Sequence, residues 1–89
     1  MRVALICLDK PDHLPVRQEN RAAHLAYIEA TGVVEMAGPF LEGGAMCGSL
    51  VVLEVASLEA AKDWAANVPY AKAGLFPSVD IREWKKVIG

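Results

Sequence analysis

The chain has 89 residues, 54% of them hydrophobic, with a formal net charge of -2 and a mean hydropathy of +0.28. That length holds one domain, residues 1–89, with a thin core that buries only about two-thirds of the surface of the unfolded chain. Acids and bases are interleaved, so there is no basic stripe to hold a phosphate backbone, and no apolar run approaches the roughly 18 residues of a membrane span.

Neither nucleic acid nor membrane is therefore expected as a partner. The N-terminal "VALICL" is too short an apolar region for a secretory signal and lacks a small-residue cleavage pattern, so the expected location is cytoplasmic. Cys7 and Cys47 stand apart, without CxxC spacing or a histidine cluster, and are read as free thiols rather than as zinc ligands or a disulfide framework. No metal site and no cofactor is indicated.

In chain order, "RVALICLD" is a short apolar run rich in β-formers, closed by Lys10-Pro11-Asp12, and reads as a strand covered on both faces. From about Leu14 to Ala30 the pattern is helical, with Leu14, Leu25 and Ile28 expected on the buried side and Thr31-Gly32 as the stop. "VVEMAGPFLE" is a second strand, ended or bent near Gly38-Pro39, and "EGGAMCG" is expected to be a loop that turns the chain back. "SLVVLEVA" is the third strand, again apolar on both faces. Ser57 is placed to cap a second helix that Val68-Pro69-Tyr70 closes. "YAKAGLFPS" is a short connection with room for one helical turn. "SVDIREWKKVI" then alternates as an edge strand, with Val79, Ile81, Glu83, Lys85 and Val87 on one side.

The order β α β β α β is that of the ferredoxin-like, split βαβ arrangement, an α+β fold with both helices on one side of an antiparallel sheet. Since the first and third strands are apolar on both faces, the bare side calls for a second copy, and a homodimer through the sheet face is expected. The first and third strands are expected to run parallel as central neighbours. Cys7, late in one, and Cys47, early in the other, would then lie at opposite ends.

The chemistry-bearing residues gather on the first helix. At about 100° per residue, Arg17, Arg21, His24 and Ile28 fall within a sector of about 60° at the edge of the buried face. Two readings stay open. The arginine stems lie along apolar surface with their heads in water and His24 is satisfied by a backbone carbonyl. Alternatively the helix overlooks a cleft, where the guanidinium groups orient a small anion and His24 moves a proton. The histidine would need an orienting carboxylate, for which Asp9 and Asp12 are the candidates. His13, in the loop, is expected to be exposed. Tyr70, Phe76 and Trp84, with Ala71, Ala73 and Gly74 among them, are core packing or the wall of a pocket.

Five stretches, "RAAHLAYIE", "MAGPFLEGG", "GSLVVLEV", "PYAKAGLF" and "VDIREWKKVIG", resemble in order and spacing the YciI-like (YCII-related domain) proteins, over nearly the whole chain. The resemblance implies a ferredoxin-like protomer that pairs into a dimeric α/β barrel. Most such proteins have no assigned reaction, and one branch acts as a dehydrochlorinase on a chlorinated hydroxyhydroquinone. It further implies an active site made of a helix-one histidine, here His24, and an aspartate just before the Pro-Tyr that follows helix two. That position is Val68 in "ANVPY", and Asn67 is one residue too early to replace the carboxylate. Ser49, Tyr70 and Phe76 match motif positions and are expected to line the pocket with Arg17 and Arg21. The function so implied is a cleft for a small anionic or phenolic molecule, with acid/base elimination or isomerisation as its chemistry. The alternative is a non-catalytic binding or accessory protein whose site has lost its carboxylate.

Overall fold

A computed structural model describes residues 1–89. Its elements are β1 (Arg2–Leu8), α1 (Leu14–Thr31), β2 (Val34–Glu42), β3 (Ala45–Glu54), α2 (Leu58–Asn67), the single turn α3 (Pro69–Lys72) and β4 (Val79–Glu83). The four strands form one antiparallel sheet in the order β2-β3-β1-β4, which is the ferredoxin-like α+β arrangement expected from the element order.

Local signals set most boundaries. Gly32, at φ +65°, ends α1 in the left-handed conformation that glycine adopts without steric cost, and its N–H donates to the Ile28 carbonyl. Ser57 caps α2, its hydroxyl accepting from the Ala60 N–H at 3.1 Å. Pro69 opens α3 from the first-turn position, where its missing N–H leaves nothing unsatisfied.

Three expectations are corrected. β1 and β3 run antiparallel, not parallel, with Leu5 opposite Val51 and Cys7 opposite Ser49. The crossover through α1 returns β2 in the direction of β1, and a hairpin then reverses the chain into β3. Cys7 and Cys47 therefore lie toward the same end of the sheet, both as free thiols. The stretch "EGGAMCG" is mostly strand, because Gly43 and Gly44, at φ +56° and +81°, make the tight turn on their own and Ala45 already pairs with Glu42. β4 stops at Glu83, since Val3 faces Glu83 and β1 begins at Arg2; Val87 and Ile88 lie exposed beyond it.

The core lies between one sheet face and α2. Val3, Leu5 and Cys7 of β1 and Val51 and Leu53 of β3 pack with Ala61, Trp64 and Ala65 of α2 and with Val68. Tyr27 and Trp64 tie the two helices, the Tyr27 hydroxyl donating to the Trp64 carbonyl and the indole N–H donating to Thr31 Oγ1, both at 3.0 Å. The opposite sheet face has no helix over it. Leu8, Met36 and Leu50 are open there, and Arg2–Glu35 and Arg82–Asp80 ion pairs stand at its margins. Gly48, also on this face, has to be glycine, because a Cβ would come within 2.5 Å of the Cys7 carbonyl oxygen.

Helix α1 departs most from a simple amphipathic reading. Its only fully buried residues are Arg17 and His24, while Leu25 is 49% exposed and Leu14 and Ile28 are half-buried. The helix presents polar side chains inward, and the sheet must satisfy them.

A donor-lined cavity between helix α1 and the sheet

Arg17 enters the protein from the first turns of α1 and meets Asp9, which follows the end of β1. The guanidinium donates to both carboxylate oxygens, Nε to Oδ2 at 2.7 Å and Nη2 to Oδ1 at 2.8 Å, and Nη2 also donates to Ser49 Oγ at 2.9 Å. The two side chains are only 3% and 6% exposed. Burial alone lowers the arginine's pKa, but the hydrogen bond and charge of Asp9 more than offset this and leave it above its ordinary value. Arg17 is thus a fixed interior cation and not a rim residue with its head in water. The rim position belongs to Arg21, one turn further along and exposed.

Tyr70, carried by α3, lies against this pair. Its ring is 4.7 Å from Arg17 Cζ, within cation–π range, and stacks on the His24 imidazole with centroids 3.8 Å apart and planes 11° from parallel. Phe76 meets Tyr70 edge-on, at 6.1 Å and 88°, and fixes its orientation from behind. Burial raises the Tyr70 pKa, with Arg17 and Arg21 opposing it.

His24 is 6% exposed, and its Nδ1 is sealed off without any hydrogen-bond partner. Desolvation, with the Arg17 charge second, lowers its pKa to about 4. The imidazole is therefore neutral at pH 7. Neither carboxylate proposed as its orienter serves: Asp9 is taken by Arg17, and Asp12 is exposed in the loop at φ +60°. Val68, 4% exposed, lines a void of about 10 Å³ together with His24, Trp64 and Phe76, so an apolar side chain stands beside the histidine. The Asn67 amide turns away and donates to the Asp63 carbonyl at 2.8 Å.

These groups surround a cavity of about 140 Å³ between α1, α3 and the β2–β3 side of the sheet, lined by Arg17, Arg21, His24, Leu25, Ile28, Ala37, Gly38, Pro39, Ser49, Val51 and Tyr70. Five of the six expected site residues, His24, Arg17, Arg21, Ser49 and Tyr70, come together in this one wall. Phe76 does not line the cavity and acts through Tyr70. The β2 stretch Ala37-Gly38-Pro39 is a wall that sequence reasoning missed; its small side chains leave the space open. Asp9, expected as the orienter of His24, instead holds Arg17. His13 is half-buried rather than exposed, its Nδ1 2.8 Å from the Pro11 carbonyl oxygen, and is absent from the cavity lining. Trp84 is 40% exposed and also absent from it. Cys7 is buried, with its thiol pushed up to about 11 by desolvation, and is no nucleophile at neutral pH. No cluster of three His, Cys, Asp or Glu side chains is placed to hold a metal ion. No helix is long and apolar enough to cross a membrane.

The same architecture is found in known proteins. Protein YciI of Escherichia coli O6:H1 is 37% identical over 97 aligned residues, covering 98% of this chain and 99% of that protein. A solved structure of 5-chloro-2-hydroxyhydroquinone dehydrochlorinase (TftG) from Burkholderia phenoliruptrix AC1100, in complex with 2,5-dihydroxybenzoquinone, is 35% identical and superposes with a TM-score of 0.89 over 96% of this chain and 94% of that one. An antibiotic biosynthesis monooxygenase, at 9% identity and a TM-score of 0.56, shares the fold alone. Residues 1–85 match the YCII-related domain, and with these relatives the match shows that the chain belongs to the YciI-like family.

Proposed function

We propose that this chain binds a small phenolic or otherwise anionic molecule in the cavity between α1 and the sheet, with Arg17, Arg21, Ser49 and Tyr70 as its polar contacts. The carrying observation is the interior guanidinium of Arg17, held on Asp9 and Ser49 so that it keeps a fixed position beside the cavity. The pair with Asp9 is neutral overall, but it fixes the guanidinium as a preorganised set of N–H donors, and Arg21 at the rim adds a positive charge. The similarity to a dehydrochlorinase solved with 2,5-dihydroxybenzoquinone supports a hydroxylated ring as the ligand. Catalysis in this reading is elimination or isomerisation at an activated carbon, with His24 as the catalytic residue that faces the ligand, Phe76 holding Tyr70 in place, and no cofactor.

A second reading, binding without turnover, is favoured by Val68. An imidazole with Nδ1 unpartnered lacks the carboxylate that normally sets a general base. The two readings separate on one experiment. Binding of 2,5-dihydroxybenzoquinone and chloride release from chlorinated hydroxyhydroquinones are measured for the natural chain, His24→Gln and Val68→Asp. Release by the natural chain that is lost in His24→Gln supports catalysis; binding with no release supports the accessory role, which stands if Val68→Asp is also inert, whereas release gained in Val68→Asp marks a degenerate enzyme. Failure of all these compounds to bind contradicts both.

The open sheet face supports a homodimer, since apolar Leu8, Met36 and Leu50 with ion pairs at the margin have the composition of an interface core and rim. Light scattering at micromolar concentration is expected to give twice the protomer mass, and Leu50→Lys to give the protomer mass. A natural chain that is monomeric under those conditions contradicts the covered face.

A further inference from the structure

We propose that His24 carries its one proton on Nε2, directed at the cavity, and acts as a hydrogen-bond donor to an oxyanion, so that the site selects the ionised form of its ligand. This rests on the binding reading above and assigns the histidine's role within it. Nδ1 is the nitrogen sealed from solvent without a partner, which leaves Nε2 as the ring's polar atom for the cavity that His24 lines. A proton on Nδ1 would be a buried, orphaned N–H, the kind of defect native structures show least; an unused lone pair there costs less, and it lies in the field of Arg17. If Nε2 instead took a proton from a ligand, the resulting cation would have that same orphaned N–H and would lie near a second, permanent cation.

The groups around the ring fit this assignment. From α1 they are Arg17 and Arg21, from α3 Tyr70, from β3 the uncharged Ser49 and from β1 the thiol Cys7; α2 and the segment after it contribute only Trp64, Ala65 and Val68. The cavity lining contains no carboxylate. Asp9, the acid paired with Arg17, has both oxygens occupied. The charged side chains on the cavity wall are Arg17, whose charge Asp9 balances, and Arg21, and the neutral imidazole adds a further donor. Such a wall stabilises charge on a phenolate or enolate oxygen more than it stabilises a neutral phenol, so the histidine serves as a neutral hydrogen-bond donor to that oxygen.

The test has two arms on the natural full-length chain. Long-range ¹H–¹⁵N spectra, with His24 distinguished from His13 by His24→Gln, are expected to show a protonated Nε2 and an unprotonated Nδ1 at pH 7. The affinity for 4-nitrophenol, measured across the pH range in which the probe ionises, is expected to favour the phenolate by on the order of ten-fold or more. Val68→Asp is expected to move the proton to Nδ1 and to shrink that preference. A proton found on Nδ1, or tighter binding of the neutral phenol, overturns the donor role while leaving the binding reading intact. If neither 4-nitrophenol nor 2,5-dihydroxybenzoquinone binds at any pH, the binding reading falls, and anion selection falls with it even where the tautomer is as described.

Discussion

Asp9→Asn is expected to destabilise the fold by about 3–5 kcal/mol, the usual cost of leaving one member of a buried ion pair uncompensated. Asp9 and Arg17 are 6% and 3% exposed and joined by two hydrogen bonds, so water cannot replace the missing charge. The amide keeps one acceptor but turns an NH₂ toward a guanidinium that can only donate. The Arg2–Glu35 pair makes the contrast. It has comparable 2.9 Å contacts but lies at the surface, where exposed pairs contribute about 0–1 kcal/mol, so Glu35→Gln should be nearly silent. Urea midpoints of the two variants measure the difference directly. Replacing both partners together, as Asp9→Leu with Arg17→Met, is expected to recover much of the stability, since the pair's cost is then removed with its gain. The double variant should still fold and should no longer bind an anion. A loss below about 1 kcal/mol in Asp9→Asn would mean that water reaches the pair.

The fold should also weaken as the pH falls, through His24. Its pKa is about 4 in the folded chain against 6.5 for a free imidazole, so the unfolded state takes up the proton first. Stability from this source is complete above the unfolded pKa, declines as pH drops from about 6.5 toward 4, and is lost below that. The full difference is roughly 3–4 kcal/mol, from about 1.4 kcal/mol per unit of pKa between 6.5 and about 4. Carboxylates also titrate at the low end of this window, so the diagnostic quantity is the comparison with His24→Gln, whose stability should be flatter between pH 7 and pH 5. If the two chains lose stability in parallel over that range, His24 is not desolvated as described.

The sequence carried the element order well because each element had its own local signal. Ser57 sat at a cap position, Gly32 at a helix end, and the strand runs were short and bounded by breakers. Strand direction had no such signal. It depends on how the Gly43-Gly44 turn reverses the chain relative to the α1 crossover, and reading β1 and β3 as parallel placed the cysteines at opposite ends.

The site was half legible for a similar reason. Helical spacing put Arg17, Arg21 and His24 in one line but gave them one shared environment, whereas the structure buries the first and third and leaves the second open. What separates them is Asp9, eight residues upstream in a different element, and only the register of β1 against α1 brings it to Arg17. The departure at Val68 could be seen from the motif. Its consequence, an imidazole nitrogen with nothing to bond, is a fact of packing.

The central claim is that the cavity beside the Arg17–Asp9 pair receives a small anionic ring. The most direct measurement is an NMR titration of the natural chain with a hydroxylated quinone, following the ring signals of His24 and Tyr70 and the backbone signals of Ala37, Gly38 and Ser49. Saturable shifts at these residues, with Arg21→Ala weakening the binding and leaving the spectrum otherwise unchanged, are the predicted result. Shifts confined to the larger open groove lined by Lys10, Asp12, His13 and Glu42, with the His24 and Tyr70 rings unmoved, would contradict it.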